Sequence, residues 1–325
     1  MSVRLAAPCR LHFGLFHVPT DALSHWPDGT PIPKFGGLGL MVARPNVTVT
    51  FVPADAWSAS GNLAERALAF AKRFPEAPPF HLEANGPDEH VGLGVGTALG
   101  MCVAYHLCSL LPGSNTFSDR ERLQLAASRV GRGRRSGIGI HGFQSGGFLV
   151  DDGKLSDVDL PTIRERILFP EDWRIILARP KLTGTWHGEQ ERSAFRRTRS
   201  PEEILAITRR LLTIANTSIL PALAVKDFDA FSSHLAVFNR IAGEPFVQDQ
   251  GGPYASAETF RIIHVLESMG IVGVGQSSWG PTVFAFARSE TEAEEIRRQL
   301  FELDPTTLEA TVTAADNRGV QILHG

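Results

Sequence analysis

Three short stretches hold residues suited to binding phosphate. The longest, "GRGRRSGIGIHGFQSGGFLVDDG" from Gly131 to Gly153, contains eight glycines and three arginines. Glycine lets the backbone take unusual angles and approach a ligand closely, and the planar arginine fork matches phosphate and carboxylate. Together they describe an anion cradle. The stretch also contains Gly137-x-Gly139-x-x-Gly142, the spacing of a dinucleotide fingerprint. That motif needs an apolar strand before the glycines and a helix opening on them. Here the order is reversed. "DRERLQLAASRV", Asp119 to Val130, spaces Leu123, Ala126, Ala127 and Val130 as a helix does, and "GGFLVDD" follows as a short strand.

In the second stretch, Gly92, Gly94 and Gly96 lead into Thr97 and a long apolar helix. Unpaired N–H groups and the positive end of the helix dipole would face whatever sits in that turn, an arrangement that binds phosphate. The Gly-Lys-Ser/Thr ending of a Walker loop is missing. The third, "GVGQSSWGP", packs Gln276, Ser277, Ser278 and Trp279 between glycines and a proline, offering donors and a flat ring to a sugar phosphate or an aromatic ring. Taken singly, each stretch also reads as a plain turn: solvated arginines, a threonine N-cap, a core tryptophan with serines capping the bend.

The chain that must position these groups has 325 residues, 43% apolar and 21% charged, as in ordinary globular proteins. Its net charge of -3 provides no basic field for nucleic acid, so the arginines are local devices for small anions. A further arginine cluster, "ERSAFRRTRS", spans 191–200. Arg4 and Arg10 interrupt the apolar start, so neither a signal peptide nor a membrane helix is expected, and the cytoplasm is the expected compartment. Cys102 and Cys108 read as buried structural thiols, with no zinc or disulfide framework.

Strand patterns open the chain and recur in "RPNVTVTFVPA" and "WRIILARP" (173–180). Helical patterns cover 62–74, the run after Thr97, 201–220, 227–241, 256–269 and 290–303, with a turn and strand in "VGVGQSSWGPTVFAFA". Mixing without a βαβ rhythm predicts an α+β fold. The expected division is 1–160 for a domain carrying the glycine-rich phosphate loop and 161–325 for a second α+β domain.

"APCRLHFGLFH", "HVGLGVGTALG" and "VGVGQSSWGPTVFAFA" resemble the three ordered motifs of the GHMP kinase superfamily. "RLHFGL", "FGGLGL" (35–40), the Gly131–Gly153 stretch, "FPEDW" (169–173) and "QSSWGPT" resemble one branch of it, β-ribofuranosylaminobenzene 5'-phosphate synthase. The resemblance spans nearly the whole chain and implies a two-lobed GHMP-kinase-like α+β fold. It implies a decarboxylating phosphoribosyltransferase. Phosphoribosyl pyrophosphate joins 4-aminobenzoate, or 4-hydroxybenzoate, through a carbon–carbon bond, with loss of carbon dioxide and pyrophosphate. The product feeds biosynthesis of a methanopterin-type carrier. Magnesium without ATP, a homodimer, and no nucleic-acid or membrane partner are also implied.

Gly92, Gly94, Gly96 and Thr97, with Arg132, Arg135 and the frame Ser136, Gly137 and Gly139, are the expected phosphate-binding set. Arg10, His12, Gln276, Ser277, Ser278 and Trp279 are the expected set for the aromatic substrate and the chemistry. His12 or His141 is a candidate proton shuttle, and Asp151 and Asp152 are candidate magnesium ligands, although no motif identifies the metal site. Many superfamily kinases read Ser-Gly-Ile-Asp where this chain has Ser136-Gly137-Ile138-Gly139. The missing acid argues against the rival reading, an ATP-dependent small-molecule kinase. A non-catalytic phosphate sensor is the other rival. The chain also departs from the synthase pattern in carrying Arg134-Arg135 where a glycine and a threonine are usual, and Val95 where serine is common.

Overall fold

The structure, a computed structural model, describes residues 1–19, 23–156, 160–181, 200–250, 252, 254–303 and 306–325. Residues 191–199 of the further arginine cluster lie outside this set. Strand β1 (Val3–His17) alternates as its sequence requires. Leu5, Ala7, Cys9, Leu11 and Phe13 are buried, and the two-residue period puts Arg10 and His12 together on the other face. Strand β2 (Phe35–Pro53) runs antiparallel to it, with Arg10 opposite Met41 and His12 opposite Gly39.

β3 (Ser58–Ser60), helix α1 (Ala64–Ala71) and β4 (Phe80–Asn85) precede α2 (Val95–Cys108), which is apolar nearly all round and packs against β1, β2, α1, α3 and α4. Helix α3 (Asp119–Arg129) starts on a capping box in which Ser118 and Glu121 satisfy each other's N–H groups. The glycine-rich stretch then holds a helix that its pattern does not reveal, α4 (Ile138–Ser145). Gly142 brings α4 close to the sheet, since a Cβ there would fall 2.2 Å from Met41 Sδ. β5 (Phe148–Asp151) and β6 (Ile163–Ile167) follow; although α4 opens on Gly137, the element before the glycines is helix α3 and not the strand that a dinucleotide fold requires.

Strands β7 (Arg174–Pro180), β8 (Val274–Gln276), β9 (Val283–Ala287) and β10 (Leu308–Thr313) form a second sheet in the order β10-β7-β9-β8, and β11 (Gln321–His324) ends the chain. The main helices of this half are Pro201–Ile214, Phe228–Gly243, Ala257–Ser268 and Glu290–Leu303, close to their sequence patterns. The fold is α+β. Two strands lie across the expected division at 160: β6 pairs with β5, and β11 returns to pair with β1 in the first, seven-stranded sheet. The halves also share a core. Phe13 stacks on Phe148 of β5 at 5.9 Å and meets Phe284 of β9 edge-on at 5.0 Å, so one ring next to His12 joins both sheets.

All three cysteines are free and buried. Burial pushes the Cys9 thiol up to about 12 and the Cys108 thiol up to about 11, and raises Cys102 as well. The native protein should therefore leave a colorimetric thiol reagent unreacted at pH 8 and expose all three thiols on denaturation. Rapid labelling of the native chain would contradict this packing.

Candidate active site

The three motifs meet around one cleft of about 590 Å³. Arg10, Arg66, Arg132, Arg134 and Arg135 line it, and no carboxylate does among the described residues. Arg10 and His12 reach it from β1. Gly94 is the N-cap of α2, with φ +68, no side-chain cap and no acidic residue in the first turn, and Arg10, Arg132 and Glu89 lie against that turn from outside the helix. Phe35, His90 and Ser278, three of the four described non-glycine residues with positive φ, also line it. Strained backbone of this kind concentrates at functional sites.

The glycines act differently from the sequence expectation. A Cβ on Gly94 would sit 2.7 Å from Arg10 Cγ, and one on Gly96 would sit 3.0 Å from Arg132 Nη2. The loop therefore clears space for side chains lying over the helix start, Arg10 at Gly94 and Arg132 with the Glu89 carboxylate, also at 3.0 Å, at Gly96, and the two guanidinium groups reach the cleft surface. Gly92 is confined by the backbone of Ser277, and Gly137 by Pro161. Gly92, Gly94, Gly96 and Gly137 stand behind the lining, while Thr97, Ser136 and Gly139 reach it. At Gly139 a Cβ would meet Thr97 Cγ2 at 3.2 Å and Arg10 Nε at 3.7 Å, so the place of the kinase acid adjoins a guanidinium.

Ser277 requires a correction. It is fully buried and does not line the cleft: its hydroxyl accepts from His12 N–H (3.1 Å) and donates to the Gly92 carbonyl (2.8 Å), tying the three motifs together. Ser278 N–H adds a bond to the His12 carbonyl (2.8 Å). Gln276 touches the cleft, but its amide is committed to the Ser278 carbonyl (2.9 Å) and Ala255 N–H (2.6 Å). Asn239, on the helix Phe228–Gly243, donates to the carbonyls of Phe13 (2.6 Å) and Gln276 (2.9 Å) and accepts from Gln276 N–H (2.8 Å). A lone asparagine gives no sequence signal for this role, and Arg66, His90 and Phe35 are equally silent. Trp279 does line the cleft, set edge-on to Phe246 at 4.8 Å with Leu15 on the same apolar wall, and Tyr254 lines the cleft as part of a second core cluster.

His141 and the two aspartates lie elsewhere. The His141 ring pairs with the Pro161 carbonyl (2.9 Å) away from the cleft. Asp151 is fully buried and accepts from Ser136 Oγ (3.0 Å), Gly137 N (2.6 Å) and Gly153 N (2.8 Å), holding the start of α4 in place. Burial pushes its carboxyl up to about 6 against the pull of those bonds. Asp152 pairs with Arg164 at 3.4 Å. Neither is placed to hold a metal in the cleft, and among the described residues no group of three or more His, Cys, Asp or Glu is.

The charges are poised for an anion. His12 is buried with no hydrogen-bond partner for Nε2. Burial first, then Arg10 and Arg135, hold its pKa well below the usual value, so the ring is neutral near pH 7. Burial, then Arg66, brings Arg132 down to about 10.

With this geometry in view, a model of the C-terminal part of GHMP kinases matches residues 219–304. β-Ribofuranosylphenol 5'-phosphate synthase of Methanothermobacter thermautotrophicus is 30% identical over 280 residues, covering 77% of this chain and 80% of the relative. The chain belongs to the β-ribofuranosylphenol 5'-phosphate synthase family. The synthase of the same name from Archaeoglobus fulgidus is 28% identical over 347 residues, covering 98% and 99% of the two chains. Homoserine kinase from Cytophaga hutchinsonii shares the fold, with TM-score 0.69 at 14% identity and 99% and 97% coverage. Membership in this synthase family makes the chain a transferase of the GHMP superfamily. No helix among the described residues is long and apolar enough to cross a membrane.

Ser277→Ala should lower stability by about 1–3 kcal/mol for each of the two buried backbone groups it strands, read from denaturant unfolding. A variant of unchanged stability that has lost only activity would return Ser277 to the substrate-contact role.

Proposed function

We propose that this synthase joins phosphoribosyl pyrophosphate to a para-substituted benzoate, forming a carbon–carbon bond at the anomeric carbon and releasing carbon dioxide and diphosphate. The product would feed a methanopterin-type carrier. The observation that carries this reading is a single cleft with arginines laid over the start of α2 at one end and an aromatic wall at the other.

Departure of the diphosphate builds negative charge on the leaving group, and preset guanidinium donors stabilise it as it forms. Arg10, beside the start of α2, and Arg135, whose charge also acts on His12, are the groups for that charge. The ribose is left electron-poor at its anomeric carbon. The benzoate, held against Trp279 and Tyr254, attacks with the ring carbon bearing its carboxylate, and loss of carbon dioxide restores aromaticity. Magnesium is proposed as an ion that the donor would bring on its own phosphate oxygens. Bound there, it would neutralise part of the diphosphate charge.

The charge balance also favours one acceptor. Attack by 4-aminobenzoate builds a cationic iminium, disfavoured beside five arginines that, among the described residues, share the lining with no carboxylate. 4-Hydroxybenzoate passes through a neutral dienone once its phenol proton is lost, and positive surroundings ease that loss. The phenol in the relatives' name agrees with this choice. A kinase reading lacks support because position 139 offers no acid and abuts Arg10 and Thr97.

The test is turnover of phosphoribosyl pyrophosphate with carboxyl-labelled 4-hydroxybenzoate, with magnesium and without ATP. Labelled carbon dioxide and diphosphate should appear in equal amounts, faster than with 4-aminobenzoate. Retention of the label with both acids, together with ATP consumption on a small alcohol, would replace this reading with the kinase.

A further inference from the structure

At the other end of the cleft from Trp279, three arginines converge on one phenylalanine and a fourth lies beside them. The guanidinium carbons of Arg66, Arg132 and Arg73 stand 5.4, 5.4 and 5.7 Å from the centroid of the Phe70 ring. Arg73 Nη1 and Arg134 Nη2 both point at Gly131, 3.5 and 3.7 Å from where its Cβ would be. Glu89 faces the group, 3.6 Å from Arg66 Nε. Arg132 Nε is buried without a hydrogen-bond partner. One carboxylate against four guanidinium groups leaves a net positive cluster, and the aromatic ring offsets only part of the repulsion.

This cluster is separate from the Arg10 position. Along the glycine loop, Gly94 lies under Arg10 and Gly96 under Arg132, so the two guanidinium groups cover successive parts of the helix start. His12 is two residues from Arg10 on the same face of β1 and bonds through its backbone to the turn bearing Trp279. The order from the aromatic wall outward is therefore His12, Arg10, Arg132, and then Arg134 with Arg73.

We propose that Arg66, Arg73, Arg132 and Arg134 form a second phosphate subsite, which takes the 5'-phosphate of the ribosyl donor while the diphosphate lies at Arg10 and Arg135. This assignment rests on the reading of the donor given above. The diphosphate is bonded to the carbon that meets the acceptor, so it belongs near His12 and Arg10. The donor's other anionic end lies across the ribose, and Arg66, Arg132 and Arg134, with Arg73 beside them outside the lining, are the remaining concentration of positive charge at the cleft. Bidentate guanidinium contacts suit a terminal phosphate, and Phe70 holds the forks in place before it arrives.

Two fragments of the donor separate the subsites: ribose 5-phosphate, which carries only the outer phosphate, and inorganic pyrophosphate, which carries only the inner group. Calorimetric titration of each is compared in the wild type, in the Arg73→Ala/Arg134→Ala variant and in Arg135→Ala. Arg73 and Arg134 are exposed, so their removal leaves the fold standing. The double variant should bind ribose 5-phosphate roughly tenfold or more weakly, the scale of a lost charged hydrogen bond. Its pyrophosphate affinity should stay within about twofold, as expected for sites without shared partners. Arg135→Ala should show the converse. Equal losses of both fragments in the double variant, loss of pyrophosphate alone, or no loss would overturn the two-subsite assignment and leave the donor reading intact. A wild type that binds neither fragment would overturn that reading and the assignment with it.

Discussion

Like charges held together in a partly buried cleft are the constraint on which this protein is organised. Five guanidinium groups share one surface on which no carboxylate lies among the described residues, Glu89 standing behind it, and burial, then Arg66, brings Arg132 down to about 10. Such an arrangement is unfavourable by itself and becomes favourable when a polyanion enters. Many features of the first lobe serve to keep the cations in place. Gly94 makes room for the stem of Arg10 and Gly96 for the fork of Arg132, Phe70 supports Arg66 and Arg132, and Asp151 secures the segment after Arg135 from behind.

The second requirement is that segments far apart in the chain hold a common geometry. His12 and Ser277 are separated by 265 positions, and Asn239 and Phe13 by 226, yet each pair is joined by a buried hydrogen bond. The phenylalanine joint at Phe13 supplies the apolar counterpart. A cleft whose walls come from both halves is aligned by these few polar ties, and donors set in advance stabilise developing charge without reorganising during the reaction.

Much of this was legible in the residues. The ordered motifs located the cleft, strand alternation paired Arg10 with His12, and the helical patterns marked the main helices. The role of the glycines was not legible. Spacing shows that the backbone at Gly94 needs freedom, whereas the atoms occupying the space belong to Arg10, more than eighty positions away. Ser277 was hidden for a related reason: a buried staple and a substrate contact use the same hydroxyl, and only its partners tell them apart. α4 escaped notice because Gly137, Gly139 and Gly142 weaken a helical pattern, while tertiary contact with β2 holds the helix. β11 could not be assigned to the first sheet because its register is fixed by pairing with β1, at the far end of the sequence.

The central claim is that the arginine-lined cleft binds the ribosyl donor by charge before any acceptor is present. Calorimetric titration of the unliganded protein with phosphoribosyl pyrophosphate, at low and at high ionic strength, tests it directly. The account predicts one-to-one binding without a benzoate and a marked loss of affinity as salt screens the guanidinium groups. Binding that requires the benzoate, or an affinity indifferent to salt, would contradict it.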